Sequence, residues 1–200
     1  MDAPRFYVDL DDVLADTTHA LVELARTRFD RDVDFESMEV FDLSVSLGLD
    51  ENDFPAFMNA AHEPGFLLGL GPIPGARDTL DHWRSGGIKI DVITGRPPAS
   101  RAATLAWLGA QRIPFDTLEF VDKYARHGDP SATTPGDLCD RGLAVVVEDA
   151  DETADFLALH TDALVLLYDR PWNRNSMAEA HGALRVRSWN DVRKIVDARA

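Results

Sequence analysis

Four short runs rich in apolar residues punctuate this chain of 200 residues, Arg5 to Leu10, Ile88 to Thr94, Leu143 to Val147 and Ala163 to Tyr168, with a weaker strand signal at Thr117 to Val121. Between them apolar residues recur at helical rather than alternating spacing. Leu14, Leu21, Val22, Ala25 and Phe29 mark one helix, and Ala154 with Leu157 and Val192 with Ile195 and Val196 mark two more. The prolines of Gly95-Arg96-Pro97-Pro98 suit a helix start, with Ala102, Leu105, Ala106 and Leu108 expected on its inner face. Strands without an alternating polar face need cover on both sides, which implies a mostly parallel sheet with helices above and below. In such sheets ligands bind beyond the carboxyl ends of the strands.

The 45% hydrophobic content supplies a sizeable core, and 20 basic against 35 acidic residues give a formal charge of −15. A field of that sign repels nucleic-acid backbone and anionic lipid, so neither a nucleic-acid polymer nor a membrane is the expected partner. Cys139 is the sole cysteine, which excludes an internal disulfide and a cysteine-rich zinc site. The apolar runs are too short to span a bilayer, and Met1-Asp2-Ala3-Pro4-Arg5 leads straight into the first strand without a leader-like apolar region. A cytoplasmic location is expected.

Residues 30 to 70 differ in character. They hold Phe35, Phe41, Phe54, Phe57, Met58 and Phe66 and lack strand punctuation. The stretch Gly69-Leu70-Gly71-Pro72-Ile73-Pro74-Gly75 closes them as a stiff hinge. These glycines follow no strand and have the wrong spacing for a dinucleotide fingerprint. The expected division is a core of residues 1–15 and 72–200 with a helical insert at 16–71. Arg126 to Gly136 reads as an exposed loop.

Acidic and phosphate-binding residue types follow three of the strands: Asp9 and Asp11 after the first, Thr94-Gly95-Arg96 after the second, Glu148-Asp149 after the fourth. With Asp12 and Asp151, up to six acids gather near one sheet edge. Two unit charges about 4 Å apart at an effective dielectric of ~20 repel by roughly 4 kcal/mol, so such a cluster takes up protons or holds a cation. Oxygen ligands in small number suit Mg²⁺, which keeps waters and bridges to substrate phosphate. The competing reading of Asp12 and Asp149 is helix capping, favoured by roughly 0.3–1 kcal/mol each.

The segment Phe6-Tyr7-Val8-Asp9-Leu10-Asp11-Asp12-Val13-Leu14, with Val92-Ile93-Thr94-Gly95-Arg96 and Val145-Val146-Val147-Glu148-Asp149, resembles motifs I, II and IV of the haloacid dehalogenase superfamily, phosphatase branch. Order and spacing fit almost the whole chain. The finer similarity is to the 5'(3')-deoxyribonucleotidases and their bacterial relatives, through Asp9 to Thr17, Phe41-Asp42, Pro72 to Gly75, Tyr168 to Asn173 and Arg187-Ser188-Trp189. The resemblance implies a Rossmann-like core and a helical C1-type cap after the first strand. It implies Asp9 as nucleophile, Asp11 as acid and base, and Thr94 with Gly95 holding a phosphoryl oxygen. It also implies Mg²⁺ on Asp9, the Asp11 carbonyl and Asp149, with Glu148 assisting. Arg96 and the cap aromatics Phe41, Phe57 and Phe66 are candidates for substrate binding.

The resemblance also requires a motif III lysine. Of Lys89, Lys123 and Lys194, only Lys123 follows a strand end, with Arg126 as a possible substitute. The six histidines show no ligand spacing and read as surface or core residues. The implied partner is a small phosphorylated metabolite, a (deoxy)nucleoside monophosphate first and a sugar phosphate or other biosynthetic intermediate second. A non-catalytic phosphate or metal binder is a third possibility, and the expected assembly is a monomer or homodimer.

Overall fold

The computed structural model describes residues 3–123 and 133–199. Six strands form one sheet: β1 (Arg5–Asp9), β2 (Lys89–Thr94), β3 (Thr117–Phe120), β4 (Leu143–Glu148), β5 (Leu164–Tyr168) and β6 (Leu184–Val186). Their order is β3-β2-β1-β4-β5-β6, and every pairing is parallel. The chain therefore changes direction across the sheet at β1, and the crevice beside β1 is where a ligand is expected.

Side chains that alternate along the strands meet different helical layers. Phe6 and Val8 of β1 face a layer made by α5 (Ala76–Ser85), α6 (Arg101–Ala110) and α9 (Trp189–Asp197), in a cluster holding Trp83, Trp107 and Trp189. Phe6 and Trp83 meet edge to face at 5.1 Å, a geometry that aromatic quadrupoles favour. Tyr7 faces the opposite layer, with Leu138 of α7 (Pro135–Leu138) and Ala154 and Leu157 of α8 (Asp151–His160). Two covered faces are what the apolar runs demanded.

Three details differ from the sequence reading. In α6 the buried residues are Ala103, Thr104, Trp107 and Leu108, whereas Ala102, Leu105 and Ala106 are exposed. The bulk of Trp107, whose indole N–H donates to the Leu70 carbonyl at 2.8 Å, sets which face turns inward. The short strand β6 carries Arg185 in the middle of three residues, which hid it among polar neighbours. Of the expected loop at 126 to 136, residues 126–132, with Arg126 and His127, lie outside the described residues. Pro135 already begins α7, which opens on a capping box between Thr134 and Asp137.

Residues between β1 and β2 form no strand of the sheet. They build α1 (Thr17–Phe29), a single turn at Phe35–Ser37, α2 (Leu43–Ser46), α3 (Asp53–Ala61) and α4 (Pro64–Leu68). Leu21, Leu24, Met38, Leu47 and Phe57 form a third apolar cluster here, joined by Trp172. Entry and exit run side by side: the Asp16 amide donates to the Gly71 carbonyl and the Ile73 amide to the Leu14 carbonyl, both at 2.8 Å. Gly75 then turns with φ of 85° into α5, and a Cβ there would lie 3.2 Å from Trp189 Cβ. Among the described residues no helix is long and apolar enough to cross a membrane.

Candidate active site

Register brings the motif residues together. Asp9 ends β1 beside Ile93, the residue before Thr94, and Val8 lies beside Val147, the residue before Glu148. Three strand ends thus converge on one rim. Asp9, Thr94, Glu148 and Asp149 are all buried there.

Lys123 closes this group from the end of β3. Its ammonium lies 2.5 Å from Asp9 Oδ1 and 2.7 Å from Glu148 Oε2, and its side chain is 1% exposed. The Tyr7 hydroxyl donates to the same Glu148 oxygen, while Glu148 Oε1 accepts the Asp149 and Ala150 amides. Glu148 is therefore engaged at both oxygens and anchors Lys123 and the turn into α8. Lys89, in contrast, reaches Asp116 on the surface, and Lys194 lies on the last helix.

Burial raises the Asp9 carboxyl to about 8, with Glu148 pushing the same way and Lys123 opposing. Asp149 is raised well above the ordinary carboxylate range by burial and by Asp9 and Glu148. Oxygens of Asp9, Glu148 and Asp149 lie within 4.8 Å of one another. Among the described residues, the Asp9 bond falls on Oδ1 and the Asp149 bond on Oδ2, where the Trp172 indole N–H donates at 3.0 Å. The three buried carboxylates thus converge on one point. Hard anionic oxygens in this state fit a divalent cation such as Mg²⁺.

Asp11 stands on the other side of Asp9. It accepts the Thr17 hydroxyl at 2.6 Å and the Arg96 guanidinium through Nη2 at 2.6 Å and Nε at 3.0 Å. Burial would raise its carboxyl, but the Arg96 charge and these hydrogen bonds outweigh it and hold Asp11 below the ordinary range. Arg96, expected to meet substrate directly, is spent on Asp11 and on the Thr104 hydroxyl at 3.3 Å. Its amide donates to Thr94 Oγ1 at 3.2 Å, which fixes the hydroxyl expected to hold phosphate. Asp12 lines the cavity too, but it accepts the Thr18 amide at 2.9 Å and so satisfies the start of α1, the capping reading. Asp151 opens α8 without joining the cluster.

A cavity of about 420 Å³ opens over Asp9, with Asp11, Gly95, Arg96, Lys123 and Asp149 at its floor. Its outer wall is Leu21, Met38, Val40, Phe41, Leu43 and Met58. Phe41 is thus placed where the sequence suggested. Phe57 and Phe66 are not: Phe57 is fully buried against Phe29 at 5.5 Å, and Phe66 packs between apolar clusters. Their helical spacing signalled an internal face, not a binding wall. The wall also contains two residues the sequence reading passed over, His62 and Trp172. Burial holds the His62 imidazole below its ordinary pKa, so it is a neutral polar group in an apolar surround. Only the resemblance around Pro171-Trp172-Asn173 pointed to Trp172.

The family model for the 5' nucleotidase, deoxy (pyrimidine), cytosolic type C protein matches residues 4–129. The chain belongs to this family. The match takes in β1, the helical segment, Thr94 and Lys123, and it stops before Glu148, Asp149 and Trp172. The chain shares its fold with haloacid dehalogenase hydrolases of known structure. One from Deinococcus radiodurans, with bound phosphate and sodium, is 18% identical, aligns over 98% of this chain and 96% of its own, and gives a TM-score of 0.66. A predicted phosphatase from Clostridium acetobutylicum is 14% identical over 99% of this chain and 100% of its own, at 0.69. A subfamily IA hydrolase from Geobacter sulfurreducens is 15% identical over 99% and 97%, at 0.63. No curated protein sequence matches significantly. The nucleotidase family membership makes the chain a phosphomonoester hydrolase of the haloacid dehalogenase superfamily.

Proposed function

We propose that this chain hydrolyses a (deoxy)nucleoside monophosphate, with Mg²⁺, through an aspartyl-phosphate on Asp9. The observation that carries the reading is the Lys123–Asp9 contact of 2.5 Å at the floor of a cavity with an apolar outer wall. Lys123 works against the burial that raises Asp9 and adds positive charge where phosphoryl oxygens would sit. A mere phosphate or metal binder needs neither that nucleophile nor the acid and base beside it.

In the first half-reaction an Asp9 carboxylate oxygen forms a bond to phosphorus as the bond from phosphorus to the ester oxygen breaks. Asp11 gives its proton to the departing alkoxide, and in the second half takes one from the water that attacks the acyl phosphate. Arg96 and Thr17 hold the Asp11 carboxyl below the ordinary range, which favours the ionised form that the second half needs. Protonation for the first half therefore goes with loosening of the Arg96 pair. Thr94 and the Gly95 amide hold a phosphoryl oxygen. Asp9, Asp149 and the Asp11 carbonyl would hold Mg²⁺, with Glu148 behind them; the ion supplies positive charge to the phosphoryl oxygens and orients them.

The wall supports a nucleotide over a sugar phosphate. A sugar phosphate carries several hydroxyls that lose their water on binding and require polar partners. Leu21, Met38, Phe41, Leu43 and Met58 offer none, but they suit the flat apolar faces of a nucleobase. Residues 16–71 act in this reading as a cap that selects the leaving group, over a core of residues 1–15 and 72–200. The enzyme works in the cytoplasm on a small metabolite, as a monomer or homodimer. A panel of 5'- and 3'-nucleotides against sugar phosphates, with and without Mg²⁺, tests it. Metal-dependent release of phosphate from nucleotides in preference to sugar phosphates is expected. Preference for sugar phosphates overturns the substrate, and no hydrolysis of any monoester overturns the activity.

A further inference from the structure

The loop after β5 fastens onto the site from outside the motifs already considered. Asn173, fully buried, donates from Nδ2 to the Asp149 carbonyl at 2.8 Å and to the Tyr168 carbonyl at 2.7 Å. Its Oδ1 accepts the Arg170 amide at 3.1 Å and Arg185 Nη1 at 2.8 Å. Arg170 in turn donates to the Asp12 carbonyl through Nε at 3.0 Å. The loop thus grips the backbone that follows β1 and the backbone that follows β4.

Trp172 projects from this loop between two structures. Its indole N–H donates to Asp149 Oδ2 at 3.0 Å. Its ring meets Phe35 at 5.8 Å and Phe41 at 6.4 Å, both edge to face, and so belongs to the apolar cluster of the helical segment. A buried carboxylate with two equivalent oxygens can rotate. The indole fixes Oδ2, and the same carboxylate brings an oxygen within 4.8 Å of oxygens of Asp9 and Glu148.

We propose that Trp172 is a positioning residue: it orients Asp149 for a divalent cation and ties that orientation to the docking of the helical segment through Phe35 and Phe41. The inference rests on the reading of Asp149 as a cation ligand. A partner that fixes a ligand from behind typically changes metal affinity by roughly 10–100-fold when removed. Because the ring is clamped from the other side by Phe35 and Phe41, loosening that clamp weakens the same hydrogen bond. Cation binding and closure of the helical segment then reinforce each other.

The test is direct Mg²⁺ titration of the full chain by calorimetry, without substrate, on the wild type and on Trp172→Phe, Phe35→Ala and Asp149→Asn. Trp172→Phe keeps an aromatic ring and loses the N–H. Its Mg²⁺ affinity is expected to fall by at least roughly tenfold. Phe35→Ala, which leaves the hydrogen-bonding atoms intact, is expected to weaken Mg²⁺ by a smaller factor. Wild-type affinity in Trp172→Phe overturns the positioning role, and wild-type affinity in Phe35→Ala overturns the coupling. A wild type that binds no Mg²⁺, or an Asp149→Asn protein that binds it normally, overturns instead the cation reading underneath.

Discussion

Lys123 and Asp9 are 114 positions apart in the chain and share a hydrogen bond of 2.5 Å inside the protein. Burying either charge alone would be costly, so the pair is held only because each satisfies the other, with Glu148 as the lysine's second anion. Removing the lysine leaves two buried carboxylates facing each other.

Lys123→Ala is therefore expected to lower stability by roughly 3–5 kcal/mol in the metal-free protein. It should also cut kcat by about 10²–10³, the range seen when a charge-stabilising donor is removed. Chemical denaturation and steady-state kinetics check both, and wild-type kinetics removes Lys123 from the site.

Asp9→Asn keeps the shape of the side chain and, with its carboxylate gone, relieves repulsion from Glu148. Its fold is expected to survive, by circular dichroism and melting, while turnover vanishes. Appreciable remaining phosphatase activity contradicts the nucleophile assignment.

Two phenylalanines in the same segment should respond differently. Phe41→Ala removes part of the cavity wall and is expected to raise KM for nucleotides about tenfold or more, on the scale of ~1–3 kcal/mol for stacking on a base, with little change in melting temperature. Phe57→Ala empties a fully buried site and is expected to cost about 3–5 kcal/mol of stability, with KM unchanged in the folded fraction. A KM effect from Phe57 and none from Phe41 reverses the reading of the wall.

Asp116, before β3, accepts the Ile90 amide at 3.0 Å and Lys89 Nζ at 3.2 Å. Partial burial works against it, yet these bonds hold its carboxyl below the ordinary value. A carboxyl lowered in the folded state stabilises fully above its unfolded pKa of about 3.9, and that contribution disappears as pH falls through the folded value. Asp116→Asn should then cost about 1 kcal/mol near neutral pH and progressively less below about pH 4. Urea melts across that range check the sign, and a penalty that grows on acidification refutes it.

The parallel sheet was legible because β1, β2, β4 and β5 are apolar on successive residues, a pattern that few other folds accommodate. Asp9, Thr94 and Asp149 were legible because each follows directly on such a run. Lys123 was ambiguous: one lysine after a weak strand looks like any surface lysine, and only the folded register of β3 against β2 buries it. Trp172 and His62 had no periodic signal, since both reach the cavity from turns whose direction is fixed by tertiary contacts. Phe57 misled for the opposite reason, because helical spacing reports a hidden face without saying what hides it. Arg96 was legible as a cavity residue, but its pairing with Asp11 was not. Its partner Asp11 comes from another strand end, and sequence spacing carries no distance between separate strands.

The antiparallel contact of Leu14 and Asp16 with Ile73 and Gly71 means that the excursion between β1 and β2 leaves and rejoins the sheet through a single gate. Whatever is spliced in there can be lengthened, trimmed or exchanged without altering the alignment of the two strands that present Asp9 and Thr94. The cavity's outer wall, Leu21 and Met38 among it, is therefore carried by a stretch of chain whose two ends are pinned close to Asp9.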